Sequence, residues 1–450
     1  QHDLGLVEGA GRPLAALVFY RSYLLSGDMA PINALAAAIA GHGMNVRALY
    51  VGSLKEPEAA DFIARRLAAW RPAVVLNATG FYARRDGDAG SPLDTAGVPV
   101  LQLVLAGSTR EAWAASKRGL SQTDLAMQVA LPELDGRLLA GAISFKAEEA
   151  DVPELEYRRR AHTPDSAGIA AAAARAAGWV RLGRTAKLER RIAIILSDYP
   201  GAGGQIAHAV GLDALASVAE ILGLLRSDGY AAGDQDVHAE TLAQALCHAP
   251  PQPFLALSDY RRHLARLPQT VQEKLEAAWG APEEDPACAG GAFTLRLARF
   301  GHILVAVQPD RGREGTRKAL YHDPDTPPCH AYVAFYLWLR EEAGIDALIH
   351  LGTHGTLEWL PGKSVALSDT CFPALLTGRL PVIYPFIVNN PGEAAAAKRR
   401  LGAVMIGHLT PALGPAGVSG TAAALEKLID AYAAADGLDR RRTALLQGEI

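Results

Sequence analysis

The sequence predicts a multidomain α/β protein built from mostly parallel, doubly wound sheets with helices on both faces. Two observations predict this fold class. Short apolar runs alternate with helix-compatible segments from residue 14 onward, a pattern typical of parallel sheets covered on both faces. The chain also has 450 residues. Because domains commonly have roughly 100–200 residues, this length indicates two or three of them.

A first α/β domain is predicted for residues 1–150. Its four apolar runs, at 14–20, 45–51, 73–79 and 98–105, are short enough to be strands. Helix-compatible segments separate the first three runs. Residues 151–190 are first charged and then rich in alanine. Alanine is the strongest helix former, so we expect a helical connector there.

A second α/β region is predicted for residues 191–450. An amphipathic helix is expected over 212–225 and a loop over 280–292. The strand candidates are followed by turn residues and lie at 192–196, 302–308, 346–352, 382–388 and 403–409. Ligands bind at the carboxyl ends of the strands in sheets of this type. Polar residues accumulate at those ends, at 198–199, 308–313, 350–358 and 389–390.

Composition narrows the function classes. The net charge is −4 and no basic stripe is present, which argues against a nucleic-acid partner. The apolar runs are shorter than the ~20 residues that a membrane span needs, so no membrane partner is expected. The four cysteines form no CxxC motif, which predicts reduced thiols and a cytoplasmic location. Because the chain opens on Gln and ends on a polar stretch, we expect a processed form or an internal piece of a longer protein.

The stretch HLGTHGTLEWLPGK at 350–363 contains His350, His354 and Glu358 at four-residue spacing. On one continuous helix the ends of this set would lie about 12 Å apart, too far for one metal ion with bonds near 2.0–2.2 Å. A strand, a Gly-rich turn and a short helix fit the sequence better. That arrangement lets all three side chains converge on one point.

Two imidazoles and a carboxylate suit an open zinc-type metal site or a base with an orienting partner. A purely structural role, capping the helix and bonding the turn, is the alternative. Three such residues within nine favour the functional interpretation. The stretch GTLEWLPGKS is not a P-loop, because it spaces its glycines as G-x6-G-K-S and contains bulky residues and a proline.

A second polar cluster lies in YHDPDTPPCH at 321–330 and contains His322, Asp323, Asp325 and His330. Asp-Pro steps favour turns, so an Asx-type turn before the following helix explains the cluster without a ligand. A place that holds or passes on a cation is the other interpretation, and both stay open. Arg399, in the Lys-Arg-Arg run at 398–400, either binds substrate carboxylates or lies on a solvated helix face.

Three long motifs resemble one family. HLGTHGTLEWLPGK, YHDPDTPPCHAYVAFYLWLR and YPFIVNNPGEAAAAKRRLGAVMIGHLTP look like the large subunits of aerobic cobaltochelatase (CobN) and of magnesium chelatase (the H subunit). SDYPGAGGQIAHAVGLDALASVAEIL and LAGSTREAWAASKRGLSQTDLAMQVALPELDG are similar as well, so the resemblance runs from about residue 14 to the end. Trp359 and the Leu-Pro-Gly after it resemble the cobalt branch more than the magnesium branch.

The resemblance implies an ATP-dependent metal chelatase, a ligase that forms a nitrogen–metal bond. Its substrates would be Co²⁺ and hydrogenobyrinic acid a,c-diamide, a corrinoid-precursor tetrapyrrole on the route to cobalamin. ATP and Mg²⁺ would act through separate AAA+ ATPase subunits, in agreement with the missing P-loop. The alternatives are the magnesium chelatase H subunit, which inserts Mg²⁺ into protoporphyrin IX, and a non-catalytic tetrapyrrole or metal carrier.

The resemblance also suggests roles for the candidate residues. His350 and His354 would hold or deliver the metal, and Glu358 would be the base or its orienter. The second cluster would line the same cavity. Candidates to contact the tetrapyrrole are Tyr199, Lys363 and Arg399.

Overall fold

The computed structural model describes residues 9–85, 87–88, 90–148, 159–197, 207, 212–312, 323–352, 355–387, 391–408, 420–435 and 440–450. Its strands are β1 (Leu14–Tyr20), β2 (Asn45–Val51), β3 (Val74–Asn77), β4 (Val100–Ala106), β5 (Leu138–Glu148), β6 (Arg160–Pro164), β7 (Ile192–Leu196), β8 (Gln252–Ala256), β9 (Cys288–Ala289), β10 (Ala292–Leu295), β11 (Leu297–Phe300), β12 (Ile303–Val307), β13 (Ala347–Leu351), β14 (Val382–Ile387) and β15 (Val404–His408). Each strand predicted from the sequence corresponds to one of these.

The α-helices are α1 (Arg21–Leu25), α2 (Ala30–Gly41), α3 (Pro57–Trp70), α4 (Arg110–Ala115), α5 (Gln122–Leu125), α6 (Leu131–Glu133), α7 (Ser166–Arg184), α8 (Ala214–Ser227), α9 (Ala239–Ala243), α10 (Leu257–Leu264), α11 (Gln269–Trp279), α12 (His330–Glu341), α13 (Phe372–Thr377), α14 (Pro391–Ala396), α15 (Thr421–Ala435) and α16 (Arg440–Glu449). Single π-helical turns occur at Ala126–Ala130, Gln244–His248 and Ala397–Leu401. The predicted helix over 212–225 is confirmed as α8.

The first sheet has the strand order β2-β1-β3-β4-β5-β6. Its first five strands are parallel and β6 pairs antiparallel to β5. Apolar side chains of β1 point alternately to the two faces, because successive strand residues face opposite sides. Leu17 packs against α2 and α7 on one face, whereas Val18 packs against α3 on the other. This is the doubly wound arrangement that the alternating pattern predicts.

The second sheet repeats this plan. Its order is β11-β12-β7-β13-β14-β15, with every pair parallel except β11–β12. Counted in chain order, its parallel strands follow 2-1-3-4-5, as do those of the first sheet. In this order the chain switches direction beside the first strand, and the crevice at the carboxyl ends there is the usual ligand position. That crevice lies at the carboxyl ends of β7 and β13.

Helices cover the second sheet on both faces. Ile195 of β7 and Leu348 of β13 pack against α12, and Ile194 packs on the opposite face against α8 and α9. Of the twelve residues of α12, the first ten are buried, so this helix is enclosed on all sides. Its tyrosine hydroxyls therefore need partners inside the protein.

The sequence analysis missed several strands. β5 contains Gly141 and three alanines and pairs with β4 through two register shifts, so it lacks the β-branched run that indicates a strand. The predicted loop at 280–292 is partly wrong, because β9 and the start of β10 lie within it and join β8 in a small antiparallel sheet. These strands are short.

The predicted connector at 151–190 contains helix α7, as expected, but it does more than link two regions. β6 extends the first sheet, and α7 packs on β5 and α2. A Cβ on Gly178 of α7 would overlap the carbonyl oxygen of Arg379 in the second α/β region, so this helix also approaches that region at backbone distance. The domain boundaries at 150 and 190 stay predictions.

Residues 1–408 and 409–450 are separate compact units. The described part of the second unit consists of α15 and α16, which pack against each other. No helix within the described ranges has the length and apolarity to cross a membrane.

Candidate functional site

His350 lies in β13, beside β7 at the centre of the second sheet. Its side chain is completely buried. The ring packs on Tyr384 of the neighbouring strand β14, with 4.9 Å between ring centroids. The predicted position of His350 in a strand is confirmed, close to the crevice at which such sheets bind ligands.

Gly355 contacts both His350 and Glu358. A Cβ on residue 355 would lie 2.9 Å from Nε2 and 3.0 Å from Nδ1 of His350, so only glycine lets the turn cross the imidazole this closely. The Gly355 N–H donates to Glu358 Oε1 at 3.0 Å, and the Tyr384 hydroxyl donates to the same oxygen at 2.9 Å. The structure thus brings His350 and Glu358 together around Tyr384. The predicted short helix is one 3₁₀ turn, Leu357–Trp359.

Gln308 follows β12 and organises the inner side of the site. Its Oε1 accepts from the backbone N–H and the hydroxyl of Thr356, at 3.1 and 3.0 Å. This fixes the amide so that Nε2 faces the hydroxyls of Tyr332 and Tyr336 and the Nε2 of His350, at 2.8, 2.5 and 3.1 Å. The amide nitrogen has two N–H donors, and the two tyrosine hydroxyls accept at shorter distances than His350 Nε2.

Burial controls the protonation of the two tyrosines of α12. It raises the pKa of Tyr332 and of Tyr336 well above the ordinary value of a phenol. Both hydroxyls therefore stay protonated and neutral over the physiological range. The inner wall of the site is polar and hydrogen-bonded but carries no charge near His350 from these two groups.

The two oxygens of the Glu358 carboxyl group have different surroundings. Its side chain is 1% exposed, and Oε2 is buried without a hydrogen-bond partner among the residues that the structure describes. A buried acceptor without a partner costs about 1–3 kcal/mol, which makes it a candidate to meet a proton or a cation. Glu358 also lines a cavity of about 330 Å³ together with Trp359 and Arg399.

Two arginines hold the motif in place. Arg400 donates to the carbonyl oxygens of Lys363 at 3.0 Å and Leu360 at 2.7 Å, and to that of Glu358. Burial lowers the pKa of its guanidinium. Arg311 donates to the carbonyl oxygen of Asp323 at 2.7 Å. Arg311 also donates to the carbonyl oxygen of Trp359 at 3.4 Å, so the two arginines fix the backbone of the 3₁₀ turn and of the residues after it.

Lys363 and Arg399 were predicted to contact the tetrapyrrole, but both have partners within the protein. Lys363 Nζ donates to the carbonyl oxygens of three residues at the end of α4, at 2.7–2.9 Å, and lies over the ring of Trp113. Arg399 makes two bonds to the carboxylate of Glu133, at 3.0 and 2.9 Å. Lys363 thus joins the motif to the first α/β region, whereas Arg399 still lines the cavity beside Glu358.

The described members of the second predicted cluster, Asp323, Asp325 and His330, have separate partners and do not gather at one point. Asp323 accepts from the backbone N–H of Asp325 and the hydroxyl of Thr326, at 2.9 and 2.6 Å, which is an Asx-type turn. The Thr326 hydroxyl lowers the pKa of the Asp323 carboxyl group. Asp325 is exposed and pairs with Lys117 at 2.9 Å. These contacts support the turn interpretation.

His330 begins α12 and is 1% exposed. Its Nδ1 faces the hydroxyl of Tyr260 at 2.7 Å, and its Nε2 faces the carbonyl oxygen of Gly280 at 3.0 Å. A carbonyl only accepts, so Nε2 carries the proton and Nδ1 accepts from the tyrosine. Both nitrogens are engaged in hydrogen bonds, as expected of a buried structural histidine.

Three predicted site residues, Tyr199, His322 and His354, lie outside the described residues. Among the residues that are described, no group of three or more His, Cys, Asp or Glu side chains is arranged to hold a metal ion. Of the three residues predicted to converge, the structure describes His350 and Glu358, and these two lie close together. The role of His354 stays a prediction.

Sequence analysis did not select Tyr332, Tyr336, Thr356 or Tyr384 as site residues, although Gln308 lay in a polar segment at a strand end. A tyrosine inside an apolar run gives little sign of which hydroxyl meets which partner. The one available signal was α12 itself, which places two tyrosines four residues apart on one helix face.

Comparison with known proteins gives consistent matches along the chain. The family described as CobN/Magnesium Chelatase matches residues 6–450. The chain is 41% identical to aerobic cobaltochelatase subunit CobN of Sinorhizobium sp and 40% identical to that of Pseudomonas aeruginosa, each over 98% of this chain and 36% of the relative. It is 30% identical to the magnesium-chelatase H subunit of Rhodobacter capsulatus, over 89% of this chain and 35% of that protein.

A solved structure matches as well. The catalytic subunit of cobaltochelatase from Mycobacterium tuberculosis superposes with a TM-score of 0.75 at 34% identity, over 99% of this chain and 39% of that one. The chain thus spans little more than a third of the length of these relatives.

Proposed function

This chain belongs to the CobN/magnesium chelatase family, and from that premise we propose that it is part of the large, tetrapyrrole-binding subunit of an ATP-dependent cobaltochelatase. The substrates are Co²⁺ and hydrogenobyrinic acid a,c-diamide. The observation that supports a site for metal insertion most directly is Glu358, a buried carboxyl group with one oxygen fixed by two donors and the other without a partner among the described residues.

Metal insertion requires that water leave the ion and that protons leave the ring nitrogens. Glu358 is suited to accept such a proton or to contact the incoming ion through Oε2, because Tyr384 and Gly355 hold Oε1 and orient the group. His350 Nε2 lies 3.1 Å from Gln308 Nε2 and the ring packs on Tyr384, so we assign His350 the positioning of that tyrosine. His354 is the proposed second metal-contacting residue.

The cobalt branch is favoured over the magnesium branch by sequence similarity. The chain is 40–41% identical to the two CobN relatives but 30% identical to the magnesium-chelatase H subunit of R. capsulatus. On the family resemblance we assign ATP hydrolysis to separate AAA+ subunits, in agreement with a motif at 350–363 that does not match a P-loop. The proposed location of the complex is the cytoplasm.

A substitution of Glu358 tests the proposed chemistry. We expect Glu358→Gln, in a complete large subunit with its motor subunits, to reduce the rate of cobalt insertion by at least about 10²-fold, which is the usual contribution of a general base. Glu273→Gln, at an exposed glutamate of α11, is the matched control and keeps the parent rate. An unchanged rate for Glu358→Gln refutes the assignment.

Substrate choice is tested by absorption titration of the same large subunit. We expect hydrogenobyrinic acid a,c-diamide to shift its absorption bands saturably and protoporphyrin IX to bind more weakly. The reverse order favours the magnesium branch. Saturable binding without insertion, in the presence of ATP and all subunits, favours the carrier alternative.

A further inference from the structure

A second cavity lies between the two α/β regions of residues 1–408. Its volume is about 300 Å³, at the lower end of the range for small-molecule sites. The first region contributes β5 and the start of α7, and the second contributes the ends of α12 and α13. Neither His350 nor Glu358 lines it, but Arg399 and Arg400 line both this cavity and the one beside Glu358.

Arginines dominate its lining. Within the described residues, six guanidinium groups line the cavity, those of Arg110, Arg175, Arg266, Arg340, Arg399 and Arg400. Two carboxylates, those of Asp165 and Asp369, line the cavity too. Two more, those of Glu133 and Glu341, lie outside the lining and pair with lining arginines. Six positive groups against four negative ones leave an excess of positive charge around a confined volume.

Some of these arginines are committed to structural contacts. Arg399 is fully paired with Glu133, and Arg400 donates all its described bonds to backbone carbonyls. Arg110 pairs with Asp165 through Nε at 2.9 Å. Arg340 donates to Glu341 and to the carbonyl oxygen of Leu375. An arginine has five N–H donors, so Arg110 and Arg340 retain donors beyond these bonds.

Arg175 is the member whose charge is least compensated. It lies on α7, and its Nη1 donates to the carbonyl oxygens of Leu139 and Ala140 at 3.0 and 3.5 Å. Burial alone lowers the pKa of its guanidinium to about 10, and no carboxylate of the described residues offsets that effect. A charge that is partly removed from water without a counter-ion is costly, so an anion in the cavity would be stabilising.

We propose that this cavity binds a multiply charged oxyanion, whose phosphate or carboxylate groups meet Arg175, Arg266 and Arg340. Guanidinium groups bind both kinds of oxyanion through paired N–H donors. Because the lining comes from both α/β regions, the bound anion contacts both at once. Its binding therefore stabilises the packing of one region on the other.

The test uses the 450-residue chain and two probes, pyrophosphate and citrate, against sodium chloride at matched ionic strength. Isothermal titration measures affinity and stoichiometry, and thermal unfolding measures stabilisation. We expect saturable one-to-one binding of at least one probe, with a rise in melting temperature. Preference for pyrophosphate identifies a phosphate ligand, and preference for citrate identifies a carboxylate ligand.

Variants separate this site from general salt effects. Arg175→Gln is expected to weaken binding by about tenfold or more, since hydrogen bonds to charged groups contribute about that much. Arg266→Gln changes an exposed member of the lining and keeps the test valid if the first variant does not fold. Arg184→Gln, exposed at the end of α7 and outside the lining, is the control. Equal affinities in all three variants and the parent, or no saturable binding by either probe, overturn the proposal.

Discussion

Replacing Gly355 by alanine tests the central packing of the candidate site. The added Cβ would lie 2.9 Å from His350 Nε2 and closer still to Cε1, whereas ordinary contact begins near 3.4 Å. Either the ring or the turn must therefore move by more than about 0.5 Å. His350 has no exposed surface and packs on Tyr384, so we expect the turn to move.

The cost follows from what this movement disrupts. Overpacking a buried site typically costs about 1–3 kcal/mol, and loss of the Gly355 N–H bond to Glu358 removes a donor from a buried carboxyl group, which costs about 1–3 kcal/mol more. We expect the free energy of unfolding to fall by about 2–6 kcal/mol. Misplacement of a reacting group by about 1 Å costs on the order of 10²-fold in rate, so cobalt insertion should fall by a similar factor.

Urea denaturation of the chain measures the first effect, and the insertion assay of the complete enzyme measures the second. Gly223→Ala is the matched control, because residue 223 lies in α8 and its Cβ would meet nothing within 4 Å. That change should stabilise by up to about 1 kcal/mol through helix propensity. If Gly355→Ala unfolds like the parent and inserts cobalt at the parent rate, the turn does not pack on His350 as described.

Three further substitutions test other contacts. Tyr384→Phe removes one donor from Glu358 Oε1 and should lower the insertion rate by about tenfold at an unchanged circular dichroism spectrum; a parent-like rate contradicts the orienting role. Lys363→Met removes three bonds to backbone carbonyls beside Trp113 and should lower the free energy of unfolding by about 1–3 kcal/mol. The affinity for the tetrapyrrole should not change. Weaker tetrapyrrole binding at unchanged stability would instead support direct contact between Lys363 and the ligand. Burial lowers the pKa of His162 to about 4 from 6.5, so the unfolded chain binds a proton that the folded chain does not between these values. The free energy of unfolding is therefore highest above pH 6.5 and falls by about 1–3 kcal/mol as the pH falls towards 4. His162→Asn should flatten this pH dependence, and equal slopes for the variant and the parent would refute the explanation.

Much of the fold could be predicted because strand signals are local. The apolar runs of β1 and β2 have the same bounds in the sequence analysis and in the structure. β5 was missed because its side chains are small and its strand character depends on pairing with β4. Pairing between distant segments leaves no mark in a sequence window, so such strands are found only when their partner is known.

The candidate site shows the same division. The spacing from His350 to Glu358 and the glycines between them predicted a turn that brings the two together, because a single helix cannot. The bonds of Glu358 to Tyr384, and of His350 to Gln308, join residues 26 and 42 positions apart. Tyr384 could not be selected from its surroundings in the sequence, and Gln308 could be placed only within a polar segment at a strand end.

By itself, the sequence determined the α/β class, the strand that holds His350 and the resemblance to the chelatase large subunits, because each rests on a contiguous pattern of residues. Only the tertiary structure decided how those residues are used. In the folded chain Asp323 accepts hydrogen bonds in an Asx-type turn and Lys363 donates to backbone carbonyls at the end of α4. Both nitrogens of His330 make hydrogen bonds. Folding also left one oxygen of Glu358 without a partner among the described residues. A side chain's chemistry depends on the donors, acceptors and charges that folding brings within a few ångströms, and those come from segments far away in the chain.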